Sequence, residues 1–213
     1  CEGLTLTMDS GAFTKCLTRA DLERYAQLII ELQDRFLWYA NGDKVGDQGQ
    51  STLNYAFLLS LLPSNLHEKV LWVHQVNAPL AELDRALKCH KRLGVGGLVP
   101  LFAQDPRAGE QQLLALASRV AAAGVEAHYF GIVRPGLIRR LQEIHGGNFS
   151  CDSSTWLVGA KFRRLIREDG RQVPMKGFRL TPKEMLAQNV RVMLSWLELE
   201  PVKVEPGLQL SLF

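Results

Sequence analysis

The chain has 213 residues, 46% of them apolar and 22% charged, with a formal net charge of +3. That balance suits one globular core of ordinary size and excludes a disordered chain, which needs low hydrophobicity or a high net charge. The longest nearly continuous apolar stretch, residues 53–62, is about half a membrane span and is broken by Asn54 and Ser60, so a spanning helix is excluded.

Residues 4–8, Leu-Thr-Leu-Thr-Met, alternate apolar and hydroxyl side chains and predict a first strand. Thr18 with Asp21 three positions on forms a weak capping box. Behind it Leu22, Tyr25, Ala26, Ile29 and Leu32 repeat at helical spacing. A second strand is expected over residues 36–40, a helix over 51–62 that Pro63 ends, and a third strand over 70–75. Pro79 is placed to open a helix that runs to residue 93. The glycine-rich run 95–99 predicts a fourth strand, and a helix over 109–123 follows with Gly124 as its C-cap. A fifth strand is expected over 126–132, a short helix over 135–144 and a sixth strand over 149–157. Past Trp156 the rhythm changes to a basic stretch, a turn at Asp169 and Gly170, a long helix over 181–199 and an irregular tail over 201–213.

Strands separated by helices at this spacing predict parallel βαβ units. No GxGxxG follows the first strand, so a dinucleotide fingerprint is absent. Polar residues collect after successive strands, which suits an α/β fold of the TIM-like (β/α) barrel type with its chemistry at the C-terminal mouth. Six strands cannot close an eight-stranded barrel, so either two strands precede Cys1 or the barrel is incomplete. The expected organisation is a barrel unit over residues 1–160 carrying the active site. A basic extension over 161–213, with its long helix packed on the barrel, completes the chain.

No basic segment leading into an apolar one opens the sequence, so no secretory signal is expected and the cytoplasm is the expected compartment. Cys1, Cys16, Cys89 and Cys151 make no CxxC pair, so free thiols are expected, with no metal ligands and no cofactor. Charge is uneven. Residues 134–191 hold twelve basic side chains against five acidic, a net of +7, which leaves −4 for the remainder. A solvated helix face would explain the basic run, and so would a phosphate-binding rim; Lys161, Arg163, Arg164 and Arg167 are its candidate phosphate contacts.

The strand ends carry Asp9-Ser10-Gly11-Ala12-Phe13, Asp43, His74-Gln75, Gly96-Gly97-Leu98, Phe130-Gly131 and Cys151-Asp152-Ser153-Ser154. In a parallel barrel these would face one cavity and could read a purine-like ring. Carboxylates accept from ring N–H groups, Gln offers donor and acceptor, glycine amides reach a carbonyl oxygen, and Phe13 and Phe130 could stack on the ring. Plainer explanations exist for most of them. Asp9 and Ser10 before a glycine can form a turn, as can Asn41-Gly42-Asp43. Gly96 and Gly97 can serve tight packing, the phenylalanines can be core, and His74 and His128 can make structural hydrogen bonds. Asp152, followed by two hydroxyls, has no obvious turn role.

As a constellation, Asp9-Ser10-Gly11-Ala12-Phe13, Gly96-Gly97-Leu98, His128-Tyr129-Phe130-Gly131 and Asp152-Ser153-Ser154-Thr155-Trp156 resembles the tRNA-guanine transglycosylase superfamily. The likeness is nearest its bacterial and phage branch that places 7-deazaguanine bases into DNA. It covers residues 4–161, in the order of the family's strands three to eight. The resemblance implies Asp152 as the nucleophile at the sugar's anomeric carbon and Asp9 as the acid that contacts the base and transfers a proton. It implies Ser10, Asp43, Gln75, Gly96, Gly97, Leu98 and Gly131 as base-binding, with Phe13 and Phe130 sandwiching the base. Thr14 stands where the motif has glutamine, Val76 and Asn77 where it has glycines, and the Pro-Thr-Arg segment after the nucleophile is absent. The family's cysteine-rich zinc subdomain has no counterpart either. Those departures favour DNA over tRNA as the polymer.

The activity expected is exchange of guanine for a free 7-deazaguanine base such as preQ0 through a covalent aspartyl-glycosyl intermediate. Partner proteins or a homodimer are compatible with this, and no membrane is expected. Two alternatives stand beside it: a noncatalytic nucleic-acid-binding subunit on the same barrel, and a nucleoside hydrolase-like enzyme.

Overall fold

A computed structural model describes residues 7–12, 16–132, 134–153, 159–174 and 180–196. The chain divides into two compact units, residues 1–132 with 139–152 and residues 133–138 with 153–213.

In the first unit β1 (Thr7–Met8), β2 (Trp38–Ala40), β3 (Val70–Gln75), β4 (Arg92–Gly96), β5 (Glu126–Tyr129) and β6 (Phe149–Cys151) form one parallel sheet. They pair in sequence order and curl into a half-barrel. An order without reversal has no switch point, which excludes a doubly wound sheet. The crossovers are α1 (Arg19–Glu31), α2 (Gln48–Leu61), α3 (Leu80–Cys89), α4 (Leu98–Gln104), α5 (Pro106–Ala122) and α6 (Pro135–His145), of which residues 135–138 count with the second unit. A 3-10 turn, Ser64–Lys69, leads into β3.

The pairing register separates two faces. Tyr39 stands beside Met8 and Val70, and these pack with Tyr25, Ala26 and Ile29 of α1, Leu58 of α2 and Leu62, its C-cap. One residue along, side chains point the other way. There Trp38, Ala40 and Leu71 cluster with Phe130. That second face carries the site.

α1 begins as its sequence predicts. Thr18 Oγ1 accepts from the Asp21 amide at 3.2 Å while the Thr18 amide donates to Asp21 Oδ2 at 3.0 Å. α2 begins earlier than residue 51, because Asp47 accepts from the Gln50 amide and caps the helix at Gln48. The helix expected over 79–93 stops at Cys89, and the strand expected over 95–99 lies instead at Arg92–Gly96. Pairing with β5, Arg92 opposite Glu126 and Val95 opposite Tyr129, sets that position. Leu98 and Val99 accordingly belong to α4, a helix the sequence does not announce. The fifth strand ends at Tyr129 rather than 132, and the sixth at Cys151 rather than 157. α5 begins at Pro106 behind an Asp105 cap, three residues before the expected start, and Gly124 follows it at φ +68°.

In the second unit β7 (Arg164–Ile166) and β8 (Gln172–Pro174) form an antiparallel hairpin around Gly170, where the turn was expected. α7 (Pro182–Trp196) opens with Thr181 accepting from the Glu184 amide. Asn189 of α7 is fully buried. Its Oδ1 accepts from the Ile166 amide at 2.8 Å and its Nδ2 donates to the Arg164 carbonyl at 3.2 Å, which satisfies one edge of β7. Residues 4–6 and 154–157 of the expected strands, 197–199 of the long helix and the tail 201–213 lie outside the described residues.

His74 is fully buried in β3, stacked on Trp72, and neither ring nitrogen has a hydrogen-bond partner among the described residues. Burial pushes its imidazole down to about 4. Between about pH 6.5 and 4 the unfolded chain takes up a proton there that the folded chain refuses, so stability falls as the pH falls. Asp43, raised to about 6, acts in the opposite sense below pH 6. His74→Phe therefore isolates the imidazole: its urea midpoint should drop less between pH 7 and 5 than the parent's, by the equivalent of about 2 kcal/mol. Equal pH dependence in both proteins would contradict this placement of His74.

Candidate active site

Parallel strands in one sheet all end at the same edge, and the expected acids are distributed along it. Asp9 follows β1, Asp43 lies beyond β2, Gln75 ends β3, Gly96 ends β4, Phe130 and Gly131 follow β5, and Asp152 follows β6. All of them belong to the first unit.

The loop after β2 is fixed by side chains of α2. Asn54 Nδ2 donates to the Gly42 carbonyl, Asn41 Nδ2 donates to the Ser51 carbonyl, and the Lys44 amide donates to Ser51 Oγ. Asn41 and Ser51 are fully buried, so these bonds exchange no water and hold the loop in one geometry. The loop presents Asp43, whose Oδ2 accepts from Gln75 Nε2 at 2.7 Å. Gln75 is itself fully buried, and its Oε1 accepts from the Gly46 amide at 2.8 Å, so the carboxamide orientation is fixed.

Gly96 makes room for this pair. A Cβ there would stand 2.8 Å from Gln75 Nε2 and 3.2 Å from Asp43 Oδ2, so the strand end needs a residue without one. The following Gly97 is left-handed at φ +77° and leads into α4, where Leu98 is buried as the first residue. Burial raises the Asp43 carboxyl to about 6, against the Gln75 hydrogen bond, and the charge of Asp9 raises it further.

Asp9 and Ser10 are engaged locally. Asp9 Oδ1 accepts from the Gly11 amide at 3.2 Å and Ser10 Oγ from the Ala12 amide at 3.4 Å, the turn geometry their sequence suggests. Asp9 is exposed, and its charge acts on both Asp43 and Asp152. Phe13 lies outside the described residues.

Asp152 is half exposed at 48%, and its Oδ1 accepts from the Gly131 amide at 2.8 Å. Gly131 sits at φ +77°, a left-handed conformation that aims this amide and that an L side chain would strain. Partial burial holds the Asp152 carboxyl above the usual carboxylate range, the Gly131 bond opposes this, and the Asp9 charge adds to it. His128 stands beside it, Nε2 3.8 Å from Asp152 Oδ1 and Nδ1 2.9 Å from Ser150 Oγ. The imidazole lies against the Trp38 and Phe130 rings, with centroids 4.6 and 4.5 Å away, and burial lowers it to about 4. At neutral pH it is an uncharged neighbour of Asp152.

The structure thus brings Asp9, Asp43, Gln75, Gly96, Phe130, Gly131 and Asp152 to one edge of the sheet. Lys161, Arg163, Arg164 and Arg167 are exposed in the second unit. Among the described residues no group of three or more His, Cys, Asp and Glu side chains converges as a metal would require.

Sequence reasoning missed Gln48. Its Oε1 accepts from the Gln75 amide at 2.7 Å and its Nε2 donates to the Val73 carbonyl at 3.2 Å. One carboxamide thereby replaces a neighbouring strand where β2 has already ended. A glutamine beside a capping aspartate carries no signal of this role in sequence. Gln48→Ala leaves both buried partners unsatisfied and should cost about 1–3 kcal/mol in urea unfolding, and Gln48→Glu should not restore it because it lacks the donor. Wild-type stability in Gln48→Ala would contradict the clamp.

The chain matches no protein-family model, and no curated protein matches it.

Proposed function

We propose that this chain is a pentosyltransferase that exchanges guanine in nucleic acid, DNA rather than tRNA, for a 7-deazaguanine base. The observation that carries the proposal is the placement of Asp9 after the first strand and Asp152 after the last at one edge of the curled sheet, where the Asp9 charge raises the Asp152 carboxyl. The half-barrel is read as part of a TIM-type barrel, whose C-terminal edge is where such enzymes place their chemistry.

The chemistry is a double displacement. Asp152, oriented by the Gly131 amide and open to solvent on one side, attacks C1′ of the nucleotide. The bond from C1′ to the guanine ring nitrogen breaks, its electron pair stays with the base, and Asp9 supplies the proton. The incoming deazaguanine loses its ring proton to Asp9 and attacks C1′, and the bond to Asp152 breaks. Two inversions at one carbon retain configuration. Asp43 and Gln75 read the base edge, and Phe130 supports its face. A neutral His128 beside Asp152 places no competing cation against the nucleophile. A base within a duplex is inaccessible to this edge, so it must be flipped out or presented in a single strand. The exposed cations Lys161, Arg163, Arg164 and Arg167 are assigned to the phosphates.

Asp152→Asn should abolish incorporation of radiolabelled guanine into DNA, along with the covalent protein–DNA adduct on a denaturing gel, while guanine still binds. Exchange by that variant would reject the mechanism. A pH series adds an independent check. Rising pH ionises Asp43 near 6 and supplies acceptors for the ring N–H groups, so guanine affinity should rise through that range and lose the step in Asp43→Asn. A step of equal size in Asp43→Asn would remove Asp43 from base reading.

A further inference from the structure

Three observations coincide at one turn of the second unit. Phe162 is 63% exposed, and it is the one aromatic among the exposed large apolar side chains of the described residues. Lys161, Arg163, Arg164 and Arg167, all within five residues of it, are exposed and make no ion pair among the described residues, and Lys161 Nζ stands 6.0 Å from the Phe162 ring centroid. Arg163, the next residue, sits at φ +54°, the one non-glycine residue in the left-handed region among those described. Such a conformation costs on the order of 1–2 kcal/mol and persists only where the surroundings impose it.

Those surroundings are visible. The Arg163 amide donates to the Ala160 carbonyl at 3.1 Å, and the Asn189 clamp fixes the Arg164 carbonyl and the Ile166 amide directly after it. Gly159 before the turn is buried, and a Cβ there would stand 3.2 Å from Asn189 Nδ2 and 3.3 Å from the Arg164 carbonyl oxygen. The ring therefore projects from a turn braced on both sides. An exposed phenylalanine forgoes the free energy that burying its apolar surface would release, and a braced backbone has little entropy left to lose on binding.

We propose that Phe162 is a base-stacking residue and that, with Lys161, Arg163, Arg164 and Arg167, it forms a binding site for single-stranded nucleic acid. The proposal rests on the reading of the chain as a nucleic-acid enzyme. Unpaired bases offer their faces to an aromatic ring, while the phosphates between them pair with guanidinium and ammonium groups. Duplex bases are already stacked and offer no such face. A membrane surface would call for several apolar side chains on one side. Here Ile166 is buried and Leu165 half-buried, which leaves one ring among four cations. An acidic peptide would use the cations and leave the ring idle.

The test is fluorescence anisotropy of the full chain with a fluorescein-labelled DNA strand of mixed sequence, alone and annealed, at several salt concentrations. Vesicles of phosphatidylserine and phosphatidylcholine serve as the lipid arm. Phe162→Ala should weaken single-strand binding about tenfold, change duplex binding little and leave the salt slope intact, with Phe162→Trp restoring affinity. Arg164→Gln should lower the logarithmic salt slope by about 0.7. Unchanged single-strand affinity in Phe162→Ala, an equal loss on the duplex, or Phe162-dependent binding to vesicles without DNA binding would each overturn the inference. Guanine exchange measured on the same proteins separates the two claims. Exchange by the parent with unchanged binding by Phe162→Ala overturns only the stacking role, and Phe162-dependent binding without exchange overturns only the transglycosylase reading.

Discussion

Parallel pairing in sequence order is the constraint on which the rest of the first unit depends. Each strand must be followed by a crossover, so every strand runs in the same direction and every C-terminal end emerges at one edge. Asp9 and Asp152 follow the two outermost strands, so pairing order alone would separate them, and the curl of the half-barrel brings the Asp9 charge within reach of Asp152. The register then assigns alternate side chains to opposite faces. Tyr39 and Val70 pack under the helices, while Trp38, Leu71 and Phe130 line the face that leads to the acids.

Carboxylates at such an edge repel one another and lose hydration, and the structure answers with short polar bonds. Gln75 donates to Asp43, the Gly131 amide donates to Asp152, and Gln48 holds the backbone from which Gln75 projects. The carboxyls of Asp43 and Asp152 nevertheless stay above the ordinary range, so burial outweighs these bonds at both sites. The Asp43 carboxyl, held at about 6, therefore changes charge close to neutral pH and with it what the site can accept. Two imidazoles, His74 and His128, are buried uncharged on opposite faces of the sheet, one beneath the helices and one beside Asp152.

Local signals in the sequence reached the elements they govern. Thr18 with Asp21 starts α1, the run of four apolar residues from Val70 to Val73 continues through His74 and Gln75 as β3, and Asp169 and Gly170 sit in the hairpin turn. The shifts arose where partners decide. Residues 90–92 carry no helix breaker, so only pairing with β5 shows that the strand begins at Arg92. The glycine-rich run over residues 95–99 reads as extended, yet left-handed Gly97 ends the strand and turns the chain into α4. At the site the acids were legible because each follows a strand. The supporting groups were not, because Gln48, Ser51 and Asn54 act across the fold, and Asn54 in an apolar stretch reads only as an interruption.

The central claim is that three acids from different strands share one edge closely enough to feel each other's charge. Carboxyl-carbon NMR titration of Asp43 and Asp152 in the parent and in Asp9→Asn measures this without reference to any substrate. Removing the Asp9 charge should lower both titration midpoints, Asp43 from about 6 and Asp152 from its raised position. Midpoints that do not move in Asp9→Asn would separate the acids and contradict the account.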